Sequence, residues 1–366
     1  MSKIISIGTA LPAHRHRQKD ILQFMQNIYA FNDADRRKLR FLYQQSQIEA
    51  RYSVIPDYSR SLPEWKFYSQ EENLEPFPSL EKRMWWYRFY AAPLSVSAIQ
   101  DSLGEKIKKE EITHLITVSC TGMSAPGLDL DVIELMGLPL NTWRSSINFM
   151  GCYAAIHALK IADTICRVEK DAKVALVCTE LCTLHFQREA TTDNIASSLL
   201  FGDGSAAAII AHDDSGQPGL HLDNFYAEVI PKAKKDMAWE LSSSGFLMTL
   251  SGYIPDLIEQ DFEQLTARAL AKAGQSKESI TKWCIHPGGK KILESIHKTL
   301  LFKNGELNDC YEILKEYGNM SSATILFVLK KILHGITHTP GQENKEHIFG
   351  AAFGPGLTME TFVASC

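Results

Sequence analysis

Two strand-length runs without polar interruption constrain this chain most. Lys173 to Cys178 reads Lys-Val-Ala-Leu-Val-Cys, and Ser205 to Ala211 reads Ser-Ala-Ala-Ala-Ile-Ile-Ala. A strand with one wet face alternates apolar and polar residues. These runs do not, so both of their faces must be covered. Helices on each side of a sheet are the usual cover. Helical patterning falls over residues 18–52, 82–108, Pro126–Met136 and Cys152–Arg167, between apolar strands at Lys3–Thr9, Ile112–Ser119 and Thr142–Phe149. Residues 53–82, rich in proline and polar residues, read as loop or broken helix. The second half repeats the rhythm, with strands His221–Val229, Thr281–Ile285, 347–353 and 357–363. Its helices are Pro255–Ala273, Lys290–Leu301 and Met320–Leu333. The expected fold is layered α/β with buried sheets. Asp213-Asp214-Ser215-Gly216-Gln217-Pro218-Gly219 is the clearest linker, and it divides the chain into halves 1–215 and 220–366.

Composition narrows the function. The 366 residues are 45% hydrophobic and 22% charged, with a formal net charge of −5. No long basic block exists, so nucleic acid is not an expected partner. His14-Arg15-His16-Arg17-Gln18-Lys19 and Pro231-Lys232-Ala233-Lys234-Lys235 read as solvated surface, with contact to an anionic substrate tail as the alternative. No apolar run reaches membrane-span or signal-peptide length. A cytoplasmic location without stable membrane insertion is expected. The eight cysteines show neither CxxC pairs nor small-domain disulfide spacing. With no HExxH and no Cys/His ligand spacing, no metal site is expected. No GxGxxG follows the first strand, which weakens a dinucleotide reading.

Three residues carry the chemistry. Cys152 lies in Phe149-Met150-Gly151-Cys152-Tyr153-Ala154-Ala155, between an apolar segment and a small-residue helix. His286 lies in Ile285-His286-Pro287-Gly288-Gly289, and Asn319 in Gly318-Asn319-Met320-Ser321-Ser322-Ala323. Thiol, imidazole and carboxamide, each beside glycine at a segment boundary, suggest covalent acyl chemistry. A helix N-terminus would stabilise a Cys152 thiolate and lower its pKa. Asn319 can donate to an oxyanion without ionising; its alternative is a helix N-cap. The Cys152 and Asn319 segments share a Gly-polar-small pattern, as an internal duplication would give. Glu180 could serve as an acid, whereas Asp203 reads as a turn residue beside the site.

These blocks, with Leu200-Phe201-Gly202-Asp203-Gly204 and Phe353-Gly354-Pro355-Gly356-Leu357-Thr358-Met359-Glu360, resemble the type III polyketide synthases, the chalcone- and stilbene-synthase-like group of the thiolase superfamily. The resemblance runs from about Ile4 to Phe362. It implies a thiolase-type duplicated αβαβα layered fold, with the Cys in the first half and the His and Asn in the second. It implies Cys152, His286 and Asn319 as the catalytic trio and Phe201 as a gatekeeper. Met248 stands where a second gatekeeper Phe is usual, and Phe246 is a partial substitute. Cys120 and Cys182 replace threonines in the pocket, His185 replaces another, and Trp239 replaces a volume-setting glycine. Ala125 replaces a methionine that reaches the neighbouring subunit. Cys120, Glu180 and Ser321 correspond to a polar network that steers ring closure, with His185 as a further candidate for orienting water. Arg51 corresponds to the region that contacts coenzyme A. The resemblance also implies a homodimer, acyl-CoA starter and malonyl-CoA as thioester substrates, no other cofactor, and an alkylpyrone or alkylresorcinol product. A ketoacyl-carrier-protein synthase III-like single condensation is the enzymatic alternative, and an acyl-binding scaffold the non-enzymatic one.

Overall fold

The computed structural model describes residues 1–366 except 30, 72–73, 106, 232–233, 304 and 337–344. Lys106, near the end of the second helical pattern, and Lys232 and Ala233, in the second basic cluster, therefore lie outside the described residues. The chain begins with β1 (Ser2–Ala10), β2 (His14–Arg17), α1 (Gln18–Ile28), α2 (Asp33–Gln45), β3 (Ala50–Ser53) and α3 (Leu80–Leu103). It continues with β4 (His114–Ser119), α4 (Leu128–Met136), β5 (Trp143–Asn148), α5 (Ala154–Val168), β6 (Lys173–Leu181), α6 (Thr192–Leu200) and β7 (Asp203–His212). After the linker come β8 (Leu220–Val229), β9 (Met237–Ser242), β10 (Gly245–Leu250), α7 (Ile254–Lys272), β11 (Lys282–Ile285) and α8 (Lys290–Thr299). The last elements are α9 (Asn308–Tyr317), α10 (Thr324–Gly335), β12 (His347–Gly354) and β13 (Thr358–Ser365).

The long sheet runs β11-β12-β13-β8-β1-β7-β6-β4-β5. Its two sides match. In one, β4 is parallel to β6, β6 antiparallel to β7, and β7 antiparallel to β1. In the other, β11 is parallel to β12, β12 antiparallel to β13, and β13 antiparallel to β8. The first strands of the two sides, β1 and β8, join antiparallel at the centre. This matched order supports our proposal that 1–215 and 220–366 are two halves of one duplicated design.

The apolar strands are buried on both faces. Val174, Leu176 and Cys178 pack with Ala155, Ala158 and Ala162 of α5, whereas Ala175 and Val177 pack with Ala98 and Ile99 of α3. Each fully buried Val, Leu or Ile contributes roughly 1.5–3 kcal/mol. Helix α5 packs on β4, β6 and β7 and touches β13, while α10 packs on β11 and reaches β1 and β7. These two helices form the middle layer between the sheet halves. Helix α3 covers the outer face of the first half, and α7 packs on β8 in the second. The α/β class is therefore thiolase-type, with helix, sheet, helix, sheet and helix in succession.

Local signals explain the departures from expectation. The predicted 18–52 helix is two helices and a strand; Asn32 caps α2 by accepting the Asp35 N–H at 2.9 Å. Residues 53–82 are mostly irregular, as expected, apart from short helical turns and the start of α3. The hairpin β9–β10 and helices α6 and α9 add elements the periodicity did not single out.

Candidate active site

Strand β5 ends at Asn148, and the chain turns sharply before α5. Phe149 and Gly151 have φ of 58° and 79°. A Cβ on Gly151 would lie 2.2 Å from Pro355 Cδ, so only glycine fits this turn. Cys152 follows, half-buried, two residues ahead of α5. Its Sγ lies 3.7 Å from Ser321 Oγ. Burial pushes the thiol up to about 12; hydrogen bonding from Ser321 and Asn319 opposes this, whereas Glu180 adds to it. The net direction is upward rather than the lowering expected, because lost hydration outweighs the hydrogen bonds that favour the thiolate.

His286 follows directly after β11, where its N–H donates to Ala351 O at 2.8 Å. It is 2% exposed, and neither ring nitrogen has a hydrogen-bond partner among the described residues. Burial depresses its pKa to about 3. Asn319 is clamped through its backbone: its N–H donates to Leu200 O at 2.9 Å, and its carbonyl accepts from Gly202 N at 3.0 Å. Its Oδ1 accepts the Ser321 N–H at 2.8 Å. The amide NH₂ is thereby aimed away, reaching Gly288 O at 3.4 Å. Asn319 does not begin α10. It precedes a short 3₁₀ turn, Ser321–Ala323, that leads into α10. Cys152 likewise stands before its helix rather than in it.

The three side chains line one mostly apolar cavity. Phe201, Met248, Phe246, Cys120, Cys182, His185, Trp239 and Ser321 also face it. Phe201 is buried and bridges Asn319 through the backbone. Met248 pairs with Trp239 across the β9–β10 hairpin. Phe246 stacks on His185, with ring centroids 4.3 Å apart and planes at 8°. Trp239 stands edge-on to both rings and donates Nε1–H to Cys120 O at 2.6 Å. Cys182 is buried, and burial raises its thiol well above the usual range.

Three expectations need correction. First, His185 is not free to orient water. Its Nε2 meets Thr121 O at 2.7 Å and its Nδ1 accepts the Phe246 N–H at 3.1 Å, so both nitrogens are bound to backbone. Second, the Glu180 network uses the neighbours of the predicted residues. Glu180 Oε2 accepts from Thr121 Oγ1 at 3.0 Å and from the Cys120 backbone N–H at 2.9 Å; Oε1 accepts from Ser322 Oγ at 2.5 Å. The Cys120 sulfur instead accepts the Gly151 N–H at 3.0 Å, and Ser321 faces Cys152. Burial raises Glu180 to about 7 against these hydrogen bonds. Third, Arg51 is 0% exposed and cannot meet a coenzyme A phosphate at the surface. Its Nη1 donates to Phe201 O at 2.6 Å and its Nε to Gln18 Oε1 at 2.9 Å. It braces the Phe201 segment. Thr121 and Ser322 are the residues sequence reasoning missed. Their hydroxyl side chains, beside Cys120 and Ser321, were the available signal. Asp203 accepts the Val54 and Thr183 N–H groups at 2.9 and 2.8 Å, fixing the turn as expected.

Among the described residues, no group of three His, Cys, Asp or Glu side chains could hold a metal ion. No described helix is long and apolar enough to cross a membrane.

A thiolase-type fold with Cys, His and Asn around one apolar cavity defines a condensing enzyme of the acyl-transferring kind. The chain belongs to the chalcone and stilbene synthase family, the type III polyketide synthases: residues 1–214 match the model "Chalcone and stilbene synthases, N-terminal domain", and 221–366 match its C-terminal domain. Type III polyketide synthase C of Arabidopsis thaliana is 29% identical, over 98% of this chain and 94% of its own length. The crystal structure of PKS-I from the brown alga Ectocarpus siliculosus superposes with a TM-score of 0.92 at 25% identity, covering 99% of this chain and 97% of that one. The C-terminal type III polyketide synthase domain of Steely1, a type I/III hybrid from Dictyostelium, superposes with a TM-score of 0.89 at 27% identity, covering 99% and 98%.

Proposed function

We propose that this enzyme loads an acyl-CoA starter on Cys152, extends it with malonyl-CoA and releases a cyclised alkylpyrone, with alkylresorcinol as the second product. The convergence of Cys152, His286 and Asn319 on one cavity carries this reading. Cys152 and His286 both rest uncharged, so loading begins with proton transfer. His286 takes the thiol proton as the sulfur attacks the starter thioester, and passes it to the departing coenzyme A thiolate. Malonyl-CoA then loses CO₂. The enolate oxygen receives hydrogen bonds from the His286 ring N–H and the Asn319 amide. The enolate carbon attacks the acyl-Cys152 carbonyl, expelling the sulfur and leaving a chain two carbons longer on coenzyme A. No group beyond the thioesters is needed for these steps. Phe201 and the aromatic wall exclude water that would protonate the enolate.

Lactonisation is favoured here because both Glu180 oxygens already hold protein donors, leaving that carboxyl poorly placed to activate water. The enzyme acts as a homodimer. Support comes from edge strand β5, paired with β4, with its first residue Trp143 66% exposed and nearby Leu140 96% exposed. A panel of acyl-CoA starters with malonyl-CoA, read by product mass and fragmentation, tests the reading. Pyrone products support it; single-condensation β-ketoacyl products alone would replace it with the ketoacyl-synthase alternative.

A further inference from the structure

With Ser321 detached from the Glu180 network, its hydroxyl has a different task. Its backbone is pinned: the N–H donates to Asn319 Oδ1 at 2.8 Å, and φ is 48°. The side chain is buried, and its Oγ stands 3.7 Å from Cys152 Sγ, within hydrogen-bond range for sulfur. Ser322, the next residue, already supplies the hydroxyl that Glu180 accepts. Neither ring nitrogen of His286, which lines the same cavity, has a hydrogen-bond partner among the described residues.

We propose that Ser321 is a positioning residue: its Oγ accepts the Cys152 thiol hydrogen at rest, and its hydroxyl turns to donate to the sulfur and stabilise the thiolate when it forms. The proposal rests on Cys152 being the nucleophile. A hydrogen bond to a charged sulfur is stronger than one to a neutral thiol, so the hydroxyl favours ionisation. The other groups around the sulfur divide. Asn319 also favours the thiolate, whereas Glu180 opposes it. The Cys120 and Cys182 thiols line the same cavity, held uncharged by burial. His286 is neutral at rest and supplies no fixed charge. Ser321 therefore holds a hydroxyl against the nucleophile before substrate arrives, ready to donate once the sulfur ionises, in a site where burial works against ionisation.

The test needs no coenzyme A substrate, so it fails or succeeds independently of the condensation reaction. Iodoacetamide alkylation of Cys152 is followed against pH by peptide mass in wild type, Ser321→Ala and Ser321→Gly. Glycine accepts the positive φ without strain, so that variant keeps the turn if alanine disturbs it. The expected result is an alkylation midpoint about one pH unit higher in both variants, which is about tenfold slower reaction at a fixed pH below the midpoint. A folded Ser321→Gly protein with the wild-type midpoint, or a lower one, overturns the assignment.

Discussion

Replacing Cys152 by alanine removes the sulfur proposed to hold the growing chain but leaves His286 and Asn319 facing the same cavity. Cys152→Ala should therefore abolish extension while malonyl-CoA decarboxylation stays measurable by CO₂ release. Asn319→Ala should do the reverse, slowing decarboxylation by roughly 100-fold or more while starter loading persists; a normal decarboxylation rate would remove Asn319 from its role. Arg51 should behave as a brace. Arg51→Met strands the Phe201 carbonyl and should cost about 1–3 kcal/mol of stability, read as a lower melting temperature, with the KM for malonyl-CoA unchanged. Cys152, His286 and Asn319, which line one cavity, were legible as candidates because each stands beside glycine in a distinctive block. Sequence reasoning misjudged Arg51, Cys120 and Ser321 because a local motif does not say which way a side chain points. At the ends of strands and turns, adjacent residues face opposite ways, so the hydroxyls that reach Glu180 belong to Thr121 and Ser322.

Elements hold these residues in place. The turn between β5 and α5 that carries Cys152 depends on Gly151, where a methyl group meets Pro355 and φ is left-handed. Gly151→Ala should destabilise the fold by more than about 1 kcal/mol and depress loading of Cys152, measured by melting and by acyl-adduct mass. The Glu180 network ties β6 to the loop after β4 and to the turn before α10, and its pH response has a definite sign. Glu180 is raised from 4.5 to about 7 in the folded protein, so the native state keeps a proton that the unfolded chain releases. Its contribution is fully present below pH 4.5 and lost as pH rises through 7. Melting temperatures from pH 5 to 8 should show Glu180→Gln gaining on wild type as pH rises, by about 3 kcal/mol at most. The long strands were legible because their apolar runs are continuous. Hairpin β9–β10, which carries Trp239, Phe246 and Met248, was not: its short strands are half exposed and lie outside the main sheet.

At the scale of the whole molecule, the duplicated pattern was visible as two matching rhythms of strand and helix, and the mirrored strand order agrees with it. What the rhythm could not convey was how far the halves interpenetrate, with α5 and α10 sharing the middle layer. The proposed dimer makes its own prediction. Trp143→Asp should weaken self-association at least tenfold in analytical ultracentrifugation, whereas an active, strictly monomeric wild type would exclude the dimer. The central claim is that Cys152 carries the acyl chain through condensation. Its most direct measurement is intact-protein and peptide mass after mixing with a long-chain acyl-CoA, then with malonyl-CoA. The account predicts an acyl adduct on Cys152 that disappears as extended product forms, and none in Cys152→Ala. Extended product formed by Cys152→Ala, or an adduct that malonyl-CoA never discharges, would contradict it.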